Sequence, residues 1–125
     1  MNLSKKILII LLLLPITSYA VTYTCNIIKK LGFEHEYSKE ELDKHPFFTL
    51  LETSEDITYI SRCIYFNKKL QCKKMLVDKI VHDNNVNITK FYVFEPQYNF
   101  QLFHNLSGIE DNGRGDISFE KCTVN

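Results

Sequence analysis

Four cysteines, Cys25, Cys63, Cys72 and Cys122, carry the clearest chemistry in this chain. An even count in a small exported protein reads as two disulfides. A thiol committed to a disulfide is no longer a nucleophile. The histidines are His35, His45, His82 and His104, and no pair has the spacing of a zinc site. His35 lies between Glu34 and Glu36, a weak ligand set at best. His104 falls where strand alternation would direct it to a core. Carboxylates cluster at Glu34/Glu36, Glu40/Glu41/Asp43, Glu52/Glu55/Asp56 and Glu110/Asp111. A carboxylate pair can hydrolyse a glycoside, but acidic clusters in loops read as solvated groups. No serine stands in a Gly-x-Ser-x-Gly elbow. The expectation is a protein without catalysis, metal or cofactor.

The segment Asp111 to Ser118 raises a different possibility, because Arg114-Gly115-Asp116 is the tripeptide that integrin ligands display. Asn112-Gly113 before it is a strong hairpin signal, since a type I′ turn needs positive φ at both central residues. With that turn, Gly108 would face Ile117 and Leu106 would face Phe119, so local structure alone accounts for the glycines. Exposed loop tips are nonetheless good recognition sites. The candidate binding residues are Ser107, Gly108, Asn112, Gly113, Arg114, Gly115 and Asp116.

These residues need a compartment and a scaffold. Lys5 and Lys6, the aliphatic run Ile7 to Leu14, Pro15, and Ser18-Tyr19-Ala20 form a secretory signal peptide, residues 1–20, with cleavage expected before Val21. The apolar run is shorter than the roughly 20 residues that span a bilayer, so no membrane span is expected after cleavage. Residues 21–125 then form a single domain. Without Lys5 and Lys6, the 15 basic residues of the chain fall to 13 against 15 acidic, a formal charge of −2. No basic field is present to attract nucleic acid. Asn87-Ile88-Thr89 and Asn105-Leu106-Ser107 match the glycosylation pattern.

The elements are mostly strands. Val21 to Ile27 alternates with period two and places Cys25 on its apolar face. Ser38 and Glu41 form a capping box ahead of one short helix, Lys39 to Lys44, which Pro46 ends. Phe47 to Leu51, Ile57 to Phe66, Leu70 to Val81, Ile88 to Phe94, Tyr98 to Leu106 and Ile117 to Val124 read as further strands. A turn at Asn67-Lys68 sets Cys63 against Cys72, and Arg62 against Lys73, a like-charge pair. Cys25 is then left for Cys122, joining the first and last strands. Ile117 and Phe119 share one face of the last strand while Cys122 falls on the other, which predicts a bulge near Glu120-Lys121. The expected fold is mainly β: an antiparallel β-barrel or sandwich of about seven strands with one short helix and two disulfides. The alternative is an α+β fold with the helix packed on a curved antiparallel sheet.

Tyr23-Thr24-Cys25 is similar to the mature start of periplasmic inhibitors of c-type lysozyme, small disulfide-bearing β-barrels that use a Ser-Gly loop. The similarity covers three residues. Ser107-Gly108 stands here too, but its flanking residues depart from that pattern. The functional expectation is an exported binding module, periplasmic or secreted, with a protein partner in the envelope or outside the cell. A narrower form is an inhibitor or immunity protein that blocks a cell-wall hydrolase. A third is host adhesion through Arg114-Gly115-Asp116.

Overall fold

The computed structural model describes residues 20–125, so the expected signal peptide lies outside the described residues. The described chain forms one antiparallel sheet with a short helix. Its strands are β1 (Val21–Leu31), β2 (Phe48–Thr53), β3 (Thr58–Phe66), β4 (Lys69–Leu76), β5 (Lys79–Asp83), β6 (Ile88–Val93), β7 (Tyr98–Phe103), β8 (Ser107–Asp111) and β9 (Ile117–Val124). The helix α1 (Lys39–Lys44) joins β1 to β2 and carries the expected capping box, with reciprocal bonds between Ser38 and Glu41. It buries none of its residues.

The sheet order is β4-β3-β2-β1-β9-β8-β7-β6-β5. Each strand pairs with its neighbour in the chain, and β1 closes onto β9. This is an up-and-down meander curled into a half-barrel. Every pairing is antiparallel, which makes β4 and β5 run in the same direction. They are one long run, as Leu70 to Val81 was expected to be, broken at Val77-Asp78 where it changes partner. There the Val77 N–H donates to the Thr58 carbonyl at 3.0 Å and the Asp78 N–H to the Tyr92 carbonyl at 2.8 Å. The break and the short β8 raise the strand number from the expected seven to nine. The seam is therefore held at one point, and the second edge of β4 carries no strand. Lys69, Lys73 and Lys74 along β4 discourage unwanted edge pairing.

The disulfides are Cys25–Cys122, between β1 and β9, and Cys63–Cys72, across the β3–β4 hairpin. Their Cα separations of 4.0 and 4.1 Å match the closer, non-hydrogen-bonded class of cross-strand pair. The hairpin has the register read from the sequence, including Arg62 opposite Lys73. Asn67 and Lys68 both have positive φ, 51° and 61°, as a type I′ turn requires.

Two sequence expectations about the last hairpin are corrected. The last hairpin pairs Gly108 with Glu120 and Asp111 with Ile117, so its loop is Asn112 to Asp116 rather than a two-residue turn at Asn112-Gly113. Asn112 drives the wider loop: its Oδ1 accepts from the Arg114 N–H at 2.7 Å and the Asp116 N–H at 3.2 Å. The second correction concerns β9, which has no bulge near Glu120. Ser118, Glu120 and Cys122 all point inward on strict alternation, and Ile117 and Phe119 face out. The bulge lies instead in β1, between Ile27 and Lys29. It turns Ile28 out to solvent and re-aims Lys30, rather than Lys29, into the half-barrel.

The core is Cys25, Leu51, Ile60, Phe91, Val93, Tyr98, Phe100 and Cys122. Full burial of a side chain such as Leu51, Ile60 or Phe100 contributes about 1.5–3 kcal/mol. Gly108 is part of the same packing: a Cβ there would come within 2.6 Å of the Phe100 ring. His104, read as core-facing, is exposed at the β7–β8 turn.

Candidate functional site: the polar mouth of the half-barrel

Antiparallel order brings α1, the Asn67-Lys68 turn, the 94–97 loop and the 112–116 loop to one end of the sheet. We call this end the mouth. Inward residues change character towards it. On β2, Thr49 lies one inward step closer to the mouth than Leu51. The same step takes β3 from Ile60 to Arg62, β8 from Gly108 to Glu110, and β9 from Cys122 to Glu120. An apolar core therefore gives way to a layer of polar side chains.

Glu110 is the centre of that layer. It is 1% exposed. Its Oε2 accepts from the Tyr98 hydroxyl at 2.6 Å and the Thr49 hydroxyl at 3.0 Å, and its Oε1 pairs with Arg62 Nη2 at 3.4 Å. Burial, then the Glu110 charge, push the Tyr98 hydroxyl well above its usual range and keep it a donor. Arg62 also lies over the Phe47 ring, 5.3 Å from its centroid. Its buried Nε has no hydrogen-bond partner, and neither do the two carboxyl oxygens of Glu120. A buried polar group left unpaired costs about 1–3 kcal/mol. Glu120 avoids the larger cost of a buried charge by staying protonated: burial, then the neighbouring Glu110, push it up to about 9. Lys30 approaches the same layer from β1, and burial, then Arg62, lower its pKa.

Above this layer lies a cavity of about 180 Å³, lined by Arg62, Lys73, Met75, Pro96, Tyr98, Asn112 and Arg114. Three cationic side chains converge on it from β3, β4 and the 112–116 loop. Neither Glu110 nor Glu120 lines it. These inward carboxyls sit beneath the surface. Lys73, Met75 and Pro96 also line a groove of about 620 Å³ along the seam, with Leu76, Asp78, Val93, Phe94 and Glu95.

The residues proposed from sequence divide into two groups. Asn112, Gly113, Arg114, Gly115 and Asp116 form the mouth loop. Ser107 and Gly108 begin β8 at the opposite end of the sheet. Within the loop, Arg114 is exposed, whereas the Asp116 carboxylate accepts from Asn112 Nδ2 at 3.3 Å and from the Tyr37 hydroxyl at 3.4 Å. That carboxylate is the main reason the Tyr37 hydroxyl is shifted up. Gly115 has φ 101° and lies against the Phe33 ring, where a Cβ would come within 2.3 Å. Phe33 itself is 92% exposed. His35 bonds to Glu41 at 3.0 Å rather than to its sequence neighbours. Among the described residues no group of three or more His, Cys, Asp or Glu side chains is placed to hold a metal ion.

Sequence reasoning missed Arg62, Lys73, Tyr98, Glu110 and Glu120. One signal was available. Cys122 must face inward to meet Cys25, and parity then carries Glu120 and Ser118 inward with it. The chain matches no family model, no curated protein and no solved structure.

Proposed function

We propose that this chain is an exported binding module without catalysis, and that it recognises a protein partner through the mouth of the half-barrel. One observation carries the reading. The Asn112–Asp116 loop is braced by its own hydrogen bonds while Arg114 stays exposed at the rim. A loop already ordered loses little entropy on binding, so more of its contact energy becomes affinity. Two disulfides support an oxidising compartment, periplasmic or secreted. Among the described residues no helix is long and apolar enough to cross a membrane. Enclosure of Glu110 and Glu120 weighs against hydrolytic use of that carboxyl pair.

The test is capture of a partner from envelope or secreted extract, with and without residues 112–116 replaced by a minimal turn. The replacement must spare Ser107 to Asp111, which form β8 and its core contacts. Capture that depends on the loop supports the reading; capture unchanged by the replacement sinks it. The hydrolase-inhibitor form is checked by adding the protein to lysozyme and following cell-wall clearing. The adhesion form has less support, because Asp116 is turned towards Tyr37 and Asn112 while only Arg114 is free.

A further inference from the structure

We infer that the mouth cavity is a carboxylate-binding site that takes one acidic side chain of the protein partner. The inference rests on the binding-module reading and adds the chemistry of what is bound.

The first support is charge. Arg62, Lys73 and Arg114 line one cavity, and Arg62 stands directly opposite Lys73 across the β3–β4 ladder. Like charges placed opposite one another destabilise a sheet. Among the described residues the ion pair at this cavity is Arg62 with Glu110, on the buried side. Asp116 is the other nearby carboxylate, and it is occupied by Tyr37 and Asn112. Glu95 and Asp78 lie along the adjoining groove rather than in the cavity, and Asp78 already accepts the Phe94 N–H at 2.7 Å. Lys73 and Arg114 are thus left facing a common space without a counter-charge.

The second support is size. At about 180 Å³ the cavity is smaller than the roughly 300–1,000 Å³ of sites that enclose a whole drug-sized ligand. It fits the end of a side chain whose body stays outside. Two guanidinium groups suit a carboxylate, because their planar N–H forks match its two oxygens.

The third support is the surround. Pro96 and Asn112 line the cavity, while the next residues, Gln97 and Gly113, line a second concavity with Phe33, Ile117 and Phe119. The same pair of loops therefore has a cationic cavity on one side and an apolar shelf on the other. A protein surface spans both, whereas a free small carboxylate uses only the first.

The probe is a blocked glutamate, N-acetyl-glutamate N-methylamide, titrated into isotope-labelled, disulfide-intact protein. Arg62 and Arg114 are the only arginines of the chain, so their Nε resonances are separately readable. Saturable shifts are expected at both and at the Asn112 and Arg114 amides. The affinity should fall about tenfold in Lys73→Gln and in Arg114→Gln, the scale of one lost charge-assisted bond. These two variants avoid Arg62, whose loss would unbalance the core. Blocked glutamine should give no saturable shift, and acetate should bind more weakly than blocked glutamate. The inference is overturned by an absence of saturable shifts, by an equal response to blocked glutamine, or by tighter binding of inorganic phosphate. Partner capture separates the two readings. Undiminished capture by the Lys73→Gln, Arg114→Gln double variant, where replacement of 112–116 abolishes it, overturns the carboxylate site and leaves the module standing.

Discussion

Glu120 places a carboxyl group where neither solvent nor a hydrogen-bond partner meets it. Its pKa near 9 lies above the usual 4.5, so the folded state holds a proton that the unfolded chain releases. Linkage then makes its contribution to stability full below about pH 4.5 and progressively lost as pH rises towards 9. Glu120→Gln keeps the shape and removes the titration. We expect its urea midpoint to equal that of the parent near pH 4.5 and to exceed it increasingly up to pH 9. A constant difference across that range would count against a protonated Glu120. Arg62 poses the opposite case, because Glu110 depends on it for charge balance. Arg62→Ala should cost about 3–5 kcal/mol by leaving a buried charge uncompensated. The Arg62→Met, Glu110→Gln double variant should recover a large part of that loss. Denaturant unfolding of the two singles and the double would measure the coupling.

At the scale of elements, the bulge in β1 decides which lysine enters the mouth. Before it, Cys25 and Ile27 face inward; after it, Lys30 does, and Lys29 is left outside to pair with Glu36 at 3.7 Å. Ile28 is 66% exposed, so Ile28→Thr should change stability by no more than about 0.5 kcal/mol. Deletion of Ile28 should leave Lys30 inward, because Ile27–Glu120 and Lys29–Phe119 then follow one another in unbroken register. Thermal melts of the two variants should therefore be alike; a much larger loss on deletion would show that the residues beyond Ile27 do not keep this register. The contact of β8 with β7 is exacting. Gly108→Ala would press a methyl group into Phe100, and an overpacking cost of about 1–3 kcal/mol is expected.

At the scale of the molecule, the two disulfides are unequal. Cys25–Cys122 links positions 97 apart and Cys63–Cys72 positions nine apart. In the chain-entropy model the longer loop contributes about 4–5 kcal/mol and the shorter about 3 kcal/mol or less. Replacing Cys25 and Cys122 by Ser should therefore lower the melting temperature more than replacing Cys63 and Cys72. The topology adds a second reason. β1–β9 is the pairing that joins the first and last strands of the chain, whereas the other bond lies within a local hairpin whose type I′ turn already sets its register. Equal losses in the two variants would show that the β1–β9 pairing does not depend on its bond.

The sequence by itself determined the strand-rich class, the capped helix, the β3–β4 hairpin and the cysteine pairing. Each depends on neighbours in the chain or on parity along a strand. Alternation placed Cys25 inward, and two turn residues set Cys63 against Cys72. Only tertiary structure decided the mouth. Arg62, Glu110 and Glu120 come from three strands, and parity from Cys122 marks only Glu120 as inward-facing. The expectation that inward means apolar reversed the faces of β9, because Ile117 and Phe119 outrank Ser118 and Glu120 in hydropathy. The reversal holds because Arg62, Tyr98 and Thr49 satisfy Glu110, and a retained proton neutralises Glu120. Those partners meet only when the sheet curls. The break at Val77-Asp78 is of the same kind. Nothing in the run from Leu70 to Val81 shows that it will leave β3 for β6, since the partner it gains is fixed by closure of the whole meander.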